Sequence, residues 1–248
     1  MCGIVGYVGH KQARAVLLES LKRLEYRGYD SCGISTLGDR LFVYKDVGRV
    51  VDVEKAIPDV EGGIGIGHTR WATHGEVTSA NAHPHTDCGG KFAVVHNGVI
   101  DNFQQLRKDL IGEGHRFTSD TDTEVIAHLV EKYYQGDISQ AVAQALADIT
   151  GTYAIVVLAQ NHSELVVAKN ESPLVIGLGD NENFVASDVS ALLDYTNRVI
   201  YLEDGDVGVV TDKSVTIKNK GNSDISYTSE FDRILFRFSQ QNDRQCNP

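Results

Sequence analysis

The chain opens on an apolar run, Cys2-Gly3-Ile4-Val5-Gly6-Tyr7-Val8-Gly9, that reads as a buried strand. Over residues 11–25 the period changes: Ala13, Val16, Leu17, Leu21 and Leu24 recur along one stripe and predict an amphipathic helix. Strand-like stretches follow near 32–37, 41–46, 63–69 and 91–96, and helices are predicted over 102–112, 122–135 and 138–148. The second of these begins at Thr121-Asp122-Thr123-Glu124, the Thr-x-x-Glu spacing of a capping box, backed by Val125, Ile126, Leu129 and Val130. From 152 onward, short apolar runs at 153–159, 164–168, 174–178, 183–186, 198–202 and 206–211 predict consecutive antiparallel strands. Strands at both ends with helices grouped between them suit two sheets flanked by helices. Beyond about 219 the sequence turns Asn-, Ser- and Gln-rich, as in a tail or the start of a linker.

With 248 residues and 42% hydrophobic content the chain can bury a full core, and no Pro/Ser/Gly-rich linker divides it, so one domain is preferred. Lys plus Arg number 23 against 34 Asp plus Glu; the formal net charge of -11 disfavours nucleic acid and anionic membrane as partners and favours a small molecule. No apolar run is long enough to span a bilayer, and the N-terminus lacks the regions of a secretory signal, so a soluble, cytoplasmic protein is expected. Cys2, Cys32, Cys88 and Cys246 are scattered without a Cys-x-x-Cys pair, suggesting neither a disulfide framework nor a zinc ribbon.

Candidate chemistry begins at the second residue. An initiator methionine before a small residue is a good substrate for removal. Processing would leave Cys2 with a thiol near ~8.5 and an α-amine near ~7.7 to 8.0 on the same residue. Such a nucleophile carries its own base and needs little tuning, the chemistry of an N-terminal nucleophile hydrolase. On position alone, Cys2 reads as well as an ordinary residue of the first strand. The run Leu24-Glu25-Tyr26-Arg27-Gly28-Tyr29-Asp30-Ser31 reads as a helix C-cap with Gly28 in the left-handed position. The alternating glycines 63, 65 and 67 lack a following helix and so do not make a dinucleotide fingerprint. After them, His68-Thr69-Arg70-Trp71-Ala72-Thr73-His74-Gly75 sets the only tryptophan beside an arginine. Arg70 suits a substrate carboxylate, gripped by two prongs, and equally a structural salt bridge.

In Asn81-Ala82-His83-Pro84-His85-Thr86-Asp87-Cys88 the His, Asp and Cys side chains are metal donors, but they complete no ligand spacing. A rigid Pro-containing loop is preferred and no metal is expected. The strand Phe92-Ala93-Val94-Val95-His96 ends on Asn97-Gly98, which is a hairpin-turn signal. The same pair offers a carboxamide and a backbone N–H to one developing oxyanion. A calcium loop starting at Asp120 fails at Val125, where glycine is needed. Asp122 either complements the helix dipole or holds a substrate ammonium group.

Taken in order, Cys2-Gly3-Ile4-Val5-Gly6, Glu25-Tyr26-Arg27-Gly28-Tyr29-Asp30-Ser31, His68 to Gly75, Asn81-Ala82-His83-Pro84-His85, Val95-His96-Asn97-Gly98 and Thr121-Asp122-Thr123-Glu124 resemble the glutaminase domains of the glutamine:fructose-6-phosphate amidotransferase family. The likeness runs from residue 2 to about 210. Sibling class II glutamine amidotransferases share the Cys2 start and the Asn-Gly pair. The Trp71 to His74 loop and the Arg27 to Asp30 run are more similar to this branch than to the phosphoribosyl pyrophosphate or asparagine enzymes.

The resemblance implies an α+β fold, a four-layer αββα sandwich of two mainly antiparallel sheets of the N-terminal nucleophile hydrolase type. It places the glutaminase domain at 1–218, with 219–248 as a tail or linker start. It also implies roles: Cys2 attacks the side-chain amide of L-glutamine with its α-amine as base, and Asn97 and Gly98 hold the oxyanion. Arg70 takes the α-carboxylate and Asp122 the α-ammonium, while Trp71, Thr73 and His74 belong to a closing loop. No cofactor is implied. In the family, ammonia passes to a C-terminal sugar-phosphate isomerase region, expected to be missing from a chain that stops at Pro248. With Met1 attached the molecule is expected to be inactive. The alternatives are a silent glutamine-binding or docking module, the glutaminase domain of another class II amidotransferase, and an N-terminal nucleophile hydrolase for another amide. Arg70 and Asp122, matched to a free amino-acid head, argue against the last.

Overall fold

A computed structural model describes residues 2–72, 76–219 and 225–228. The chain begins with β1 (Gly3–Gly9), α1 (Ala13–Leu24), β2 (Ser31–Leu37), β3 (Leu41–Val47) and a single turn, α2 (Val50–Val53). Next come β4 (Ile64–Arg70), a two-residue β5 (His85–Thr86) and β6 (Phe92–Ile100). The helices α3 (Phe103–Gly112), α4 (Glu124–Tyr133) and α5 (Ile138–Asp148) are consecutive. Eight further strands follow: β7 (Gly151–Ala159), β8 (Leu165–Asn170), β9 (Val175–Leu178), β10 (Glu182–Ala186), β11 (Val199–Tyr201), β12 (Val207–Val210), β13 (Ser214–Lys218) and β14 (Ile225–Thr228).

These strands form two seven-stranded sheets, in the orders β11-β9-β10-β1-β4-β2-β3 and β14-β13-β12-β8-β7-β6-β5. Alternation along each central strand builds the layers. Ile4 and Val8 of β1 meet Ala93 and Val95 of β6 and Ala154, Val156 and Leu158 of β7 between the sheets. Val5 and Tyr7 point the other way, onto Val16, Leu17, Leu21 and Leu24 of α1. On the far side, Val94, Ile155 and Val157 pack against Val125, Ile126 and Leu129 of α4 and Ala141 and Val142 of α5. Both faces of β1 and β6 are therefore buried, which explains their unbroken apolar sequence. The result is the expected αββα sandwich.

Local readings needed correction in several places. Gly28 has φ 179 and ψ 139, extended rather than left-handed, and follows a 3-10 turn at Glu25–Arg27. Asn97 and Gly98 lie inside β6, which pairs with β7 through Gly98↔Tyr153 and on to Ile100↔Gly151, so no hairpin turns there. The capping box is absent: Thr123, not Thr121, precedes α4 and caps it with no side-chain bond. The Glu124 carboxylate instead accepts the Thr118 and Ser119 N–H groups, both at 2.7 Å, closing the loop ahead of the helix. β13 and β14 extend the second sheet beyond the last predicted strand, and Val215 and Ile217 of β13 are buried between the sheets.

Candidate active site

The antiparallel register of β1 and β4 pairs Gly3 with Thr69, which brings Cys2 beside the end of β4 at Arg70-Trp71. There the Trp71 N–H donates to Cys2 Sγ at 3.3 Å. Burial pushes the Cys2 thiol above its ordinary value, against the opposing pull of that N–H and of Arg70. With Met1 still attached the sulfur is thus favoured as a thiol, so attack calls for a base beside it.

Asn97 faces the same residue from β6. Its Nδ2 donates to the Cys2 carbonyl at 3.0 Å, and its Oδ1 lies 3.0 Å from His68 Nε2. An amide oxygen only accepts, so the His68 proton sits on Nε2. Burial drives the His68 pKa down to about 3, which keeps the ring neutral, and it stacks on His83 with centroids 4.1 Å apart. One Nδ2 hydrogen is used on Cys2; the amide carries a second for a substrate oxygen. Gly98 next to it has φ 137, and a Cβ there would fall 2.0 Å from the Thr152 carbonyl oxygen. Only glycine permits this kink in β6.

Arg70 is 5% exposed, and its Nη1 donates to the Glu76 carbonyl at 3.2 Å. Burial works against its charge, while Cys2, Asp30 and Asp122 work for it. The backbone of Arg70 and Trp71 is braced from behind by the Gly28 to Asp30 run. A Cβ on Gly28 would come within 2.7 Å of Arg70 C and Trp71 N. Asp30 N–H donates to the Arg70 carbonyl at 3.1 Å, and the Asp30 carboxylate accepts the Ala72 N–H at 2.9 Å. The Tyr29 ring meets Trp71 edge-on, with centroids 5.6 Å apart.

Just ahead of α4, Asp122 is half-buried and accepts the Ile100 N–H at 2.9 Å, and Thr123 Oγ1 lies 2.9 Å from His96 Nδ1. Asn81 ties the connecting loop down, donating to the Glu76 carbonyl at 3.1 Å and accepting the Asp120 N–H at 2.9 Å. Lys45 of β3 holds the Ala80 and Ala82 carbonyls at 3.0 and 2.6 Å, and burial lowers its pKa to about 8.

Six of the residues expected from sequence thus line one small cleft: Cys2, Arg70, Trp71, Asn97, Gly98 and Asp122. Thr73 and His74 lie outside the described residues. Sequence reasoning gave no role to His68, whose burial on β4 was the only available signal, nor to Gly28 and Asp30 as the brace of the Arg70-Trp71 backbone. The metal donors weighed at 83–88 do not converge. His83 is stacked on His68, His85 Nε2 lies 3.0 Å from Thr121 Oγ1, and the Asp87 carboxylate accepts the N–H groups of Gly89, Lys91 and Phe92. A larger cavity of about 1010 Å³ beside α5, β7 and β12 has no Cys, His or Arg on its walls.

A family model described as a glutamine amidotransferase domain matches residues 68–194, just over half of the chain. Over 220 residues the chain is 53% identical to a glutamine--fructose-6-phosphate aminotransferase [isomerizing] of Thermus thermophilus, covering 88% of this chain and 36% of that protein. A protein of the same name from Pyrococcus horikoshii is 51% identical over 225 residues, covering 88% of this chain and 38% of that one. The chain therefore spans little more than a third of the length of these curated relatives. Among solved structures, the glutamine phosphoribosylpyrophosphate amidotransferase from B. subtilis complexed with ADP and GMP matches with a TM-score of 0.70 and 28% identity, over 92% of this chain and 49% of that chain. In its fold, in the residues gathered at Cys2 and in its relatives, this chain belongs to the glutamine amidotransferase family.

Proposed function

We propose that the cleft at Cys2 hydrolyses the side-chain amide of L-glutamine to glutamate and ammonia through a thioester. One observation carries this reading. The Cys2 thiol shares a single cleft with an oxyanion-type pair, Asn97 and Gly98, and with one cation and one anion, Arg70 and Asp122. A free amino-acid head needs both charges, and an amide carbon under attack needs the donors.

The sequence of steps follows from the resting state of the sulfur. Removal of Met1, which lies outside the described residues, frees the Cys2 α-amine. That amine takes the thiol proton as Sγ bonds to the amide carbon, and the carbonyl electrons move onto oxygen, held by the second Nδ2 hydrogen of Asn97 and by the Gly98 N–H. As the oxyanion collapses, the C–N bond breaks and the α-ammonium protonates the departing nitrogen, giving ammonia and a thioester. Water then adds to the thioester, the amine again handling the proton, and Cys2 leaves as thiol from glutamate. Arg70 and Asp122 orient the substrate, and Trp71 closes over it together with Thr73 and His74.

The ammonia acceptor is carried over from the relatives' name: fructose 6-phosphate, at a sugar-phosphate isomerase region forming the rest of such proteins. The cytoplasm is the proposed compartment, since the described cysteines Cys2, Cys32 and Cys88 are free thiols and the reaction needs one of them reduced. No described helix is long and apolar enough to cross a membrane. Glutamate release from Met1-processed protein tests the reading. Turnover lost in Cys2→Ala supports it, while glutamine binding without turnover in the processed wild type would leave a silent binding module instead.

A further inference from the structure

Four side chains that do not line the cleft converge where the loops before β6 and before α4 meet α4 itself. Cys88 sits on the loop between β5 and β6, His115 on the loop between α3 and α4, and His128 and Glu131 three residues apart on one face of α4. Their donor atoms all lie within 4.8 Å of one another. Cys88 Sγ is 3.7 Å from His128 Nδ1 and 3.9 Å from His115 Nδ1, while Glu131 Oε2 is 3.4 Å and 2.8 Å from the same two nitrogens. A tetrahedral zinc ion, with bonds of about 2.3 Å to sulfur and about 2.0 to 2.1 Å to nitrogen or oxygen, separates sulfur from nitrogen by about 3.6 Å and nitrogen from oxygen by about 3.3 Å. Three of these four separations already lie within about 0.3 Å of those values, the fourth needs a widening of about 0.5 Å at His115 and Glu131, and the remaining two pairs, Cys88 with Glu131 and His115 with His128, lie within 4.8 Å.

We propose that Cys88, His115, His128 and Glu131 form a binding site for a zinc-class divalent metal ion, structural in role and separate from the glutamine cleft. A thiolate, two imidazoles and a carboxylate favour zinc over magnesium or calcium. The surroundings suit it. The Arg116 N–H donates to Cys88 Sγ at 3.3 Å, as it would to a metal-bound thiolate. His128 is fully buried with Phe117 packed on its ring at 4.3 Å, so its direction is set. Metal at Nδ1 places the ring proton on Nε2, a buried atom without a hydrogen-bond partner that lies 3.8 Å from the Glu124 carboxylate. That is the carboxylate-histidine-metal relay in outline. Cys88 is exposed, which gives the ion its way in. Binding releases the Cys88 thiol proton, uses both imidazoles in their neutral form, and ties the β5–β6 loop to α4, which begins two residues after Asp122. The expectation of no metal rested on the incomplete ligand spacing within 83–88; His115, His128 and Glu131 lie too far along the sequence to be read together with Cys88.

Chelator-treated full-length chain titrated with cobalt(II), followed by zinc competition, tests this. We expect saturation at one ion per chain with the visible bands of a tetrahedral site and a thiolate-to-cobalt charge-transfer band, all displaced by zinc. Cys88→Ser abolishes the charge-transfer band and weakens binding on the order of 10²-fold or more, since even outer partners of ligands change affinity 10- to 100-fold. Cys2→Ser, Cys32→Ser and Cys246→Ser retain the band. Circular dichroism shows whether Cys88→Ser is folded, and His115→Asn, on a half-buried loop residue, serves as the second variant with the same expected weakening. Folded protein showing no tetrahedral cobalt spectrum in large metal excess overturns the proposal, leaving two imidazole N–H groups sharing the Glu131 oxygen. Loss of the band on Cys2→Ser alone, with Cys88→Ser unaffected, overturns it as well.

Discussion

Asn97 is the residue whose replacement separates catalysis from architecture. Its carboxamide joins His68 Nε2 to the Cys2 carbonyl, each at 3.0 Å, and it stands beside the kinked Gly98. Asn97→Ala removes a proposed oxyanion donor, worth about 2.7 to 4 kcal/mol and so about 10²- to 10³-fold in kcat. It also leaves the fully buried His68 N–H without its acceptor, costing about 1 to 3 kcal/mol of stability. At about 2 to 4 °C per kcal/mol for a chain of this size, Tm should fall by several degrees. Asn97→Asp splits the two effects, because it keeps an acceptor for His68 but has no N–H for the oxyanion. Glutamate release and thermal melts on the wild type and both variants give kcat, KM and Tm. The expected pattern is a comparable kcat loss in both, a small change in KM, and a Tm loss that is larger in Asn97→Ala. A kcat for Asn97→Asp within a few-fold of wild type would refute the oxyanion assignment.

Arg70→Lys keeps the charge but not the planar fork, so KM for glutamine should rise by tenfold or so with kcat less affected, and Asp122→Asn should do likewise; steady-state kinetics in which neither changes KM would reject the pocket assignment. Gly28→Ala should lower both kcat/KM and Tm although residue 28 takes no part in the chemistry, because its Cβ meets backbone atoms of Arg70 and Trp71 at 2.7 Å; wild-type kinetics would show that the brace is dispensable. On acidification, His68 stays neutral down to about 3 in the folded chain but takes up a proton near ~6.5 when unfolded. Its stabilising contribution is therefore complete above ~6.5 and is lost as pH falls toward about 3, at about 1.4 kcal/mol per pH unit. Burial lowers His83, His85 and His96 in the same direction, so urea melts at pH 7 and pH 5 should differ by at least about 2 kcal/mol; equal stabilities would contradict neutral buried rings.

What could be seen in the sequence was what depends on periodicity. The run at β1, the stripe of α1 and the bounds of α5 at 138–148 all come from packing repeated along one element, and those elements are where they were expected. Signals read from two or four adjacent residues fared worse. Asn97-Gly98 looks like a turn, yet pairing with β7 carries the strand straight through it, and the glycine supplies a kink instead. Gly28 looks like a helix cap, yet its lack of a side chain is used to admit the Arg70-Trp71 backbone. Glu124 looks like a capping-box partner of Thr121, yet its carboxylate is taken by the N–H groups of Thr118 and Ser119. His68 was quoted only as part of a motif, because nothing in a linear chain shows that it faces Asn97 across 29 residues. For the same reason Cys88, His115, His128 and Glu131 were invisible as a group: three separate segments must fold before they meet.

The central claim is that Cys2 is the nucleophile toward the side-chain amide of glutamine. The most direct measurement is reaction of Met1-processed protein with a glutamine analogue carrying an electrophile at the amide position, read by intact mass and peptide mapping. The account predicts a single adduct on Cys2, blocked by excess glutamine and much slower in Arg70→Lys. An adduct on Cys32, Cys88 or Cys246, or labelling at Cys2 that glutamine does not compete, would contradict it.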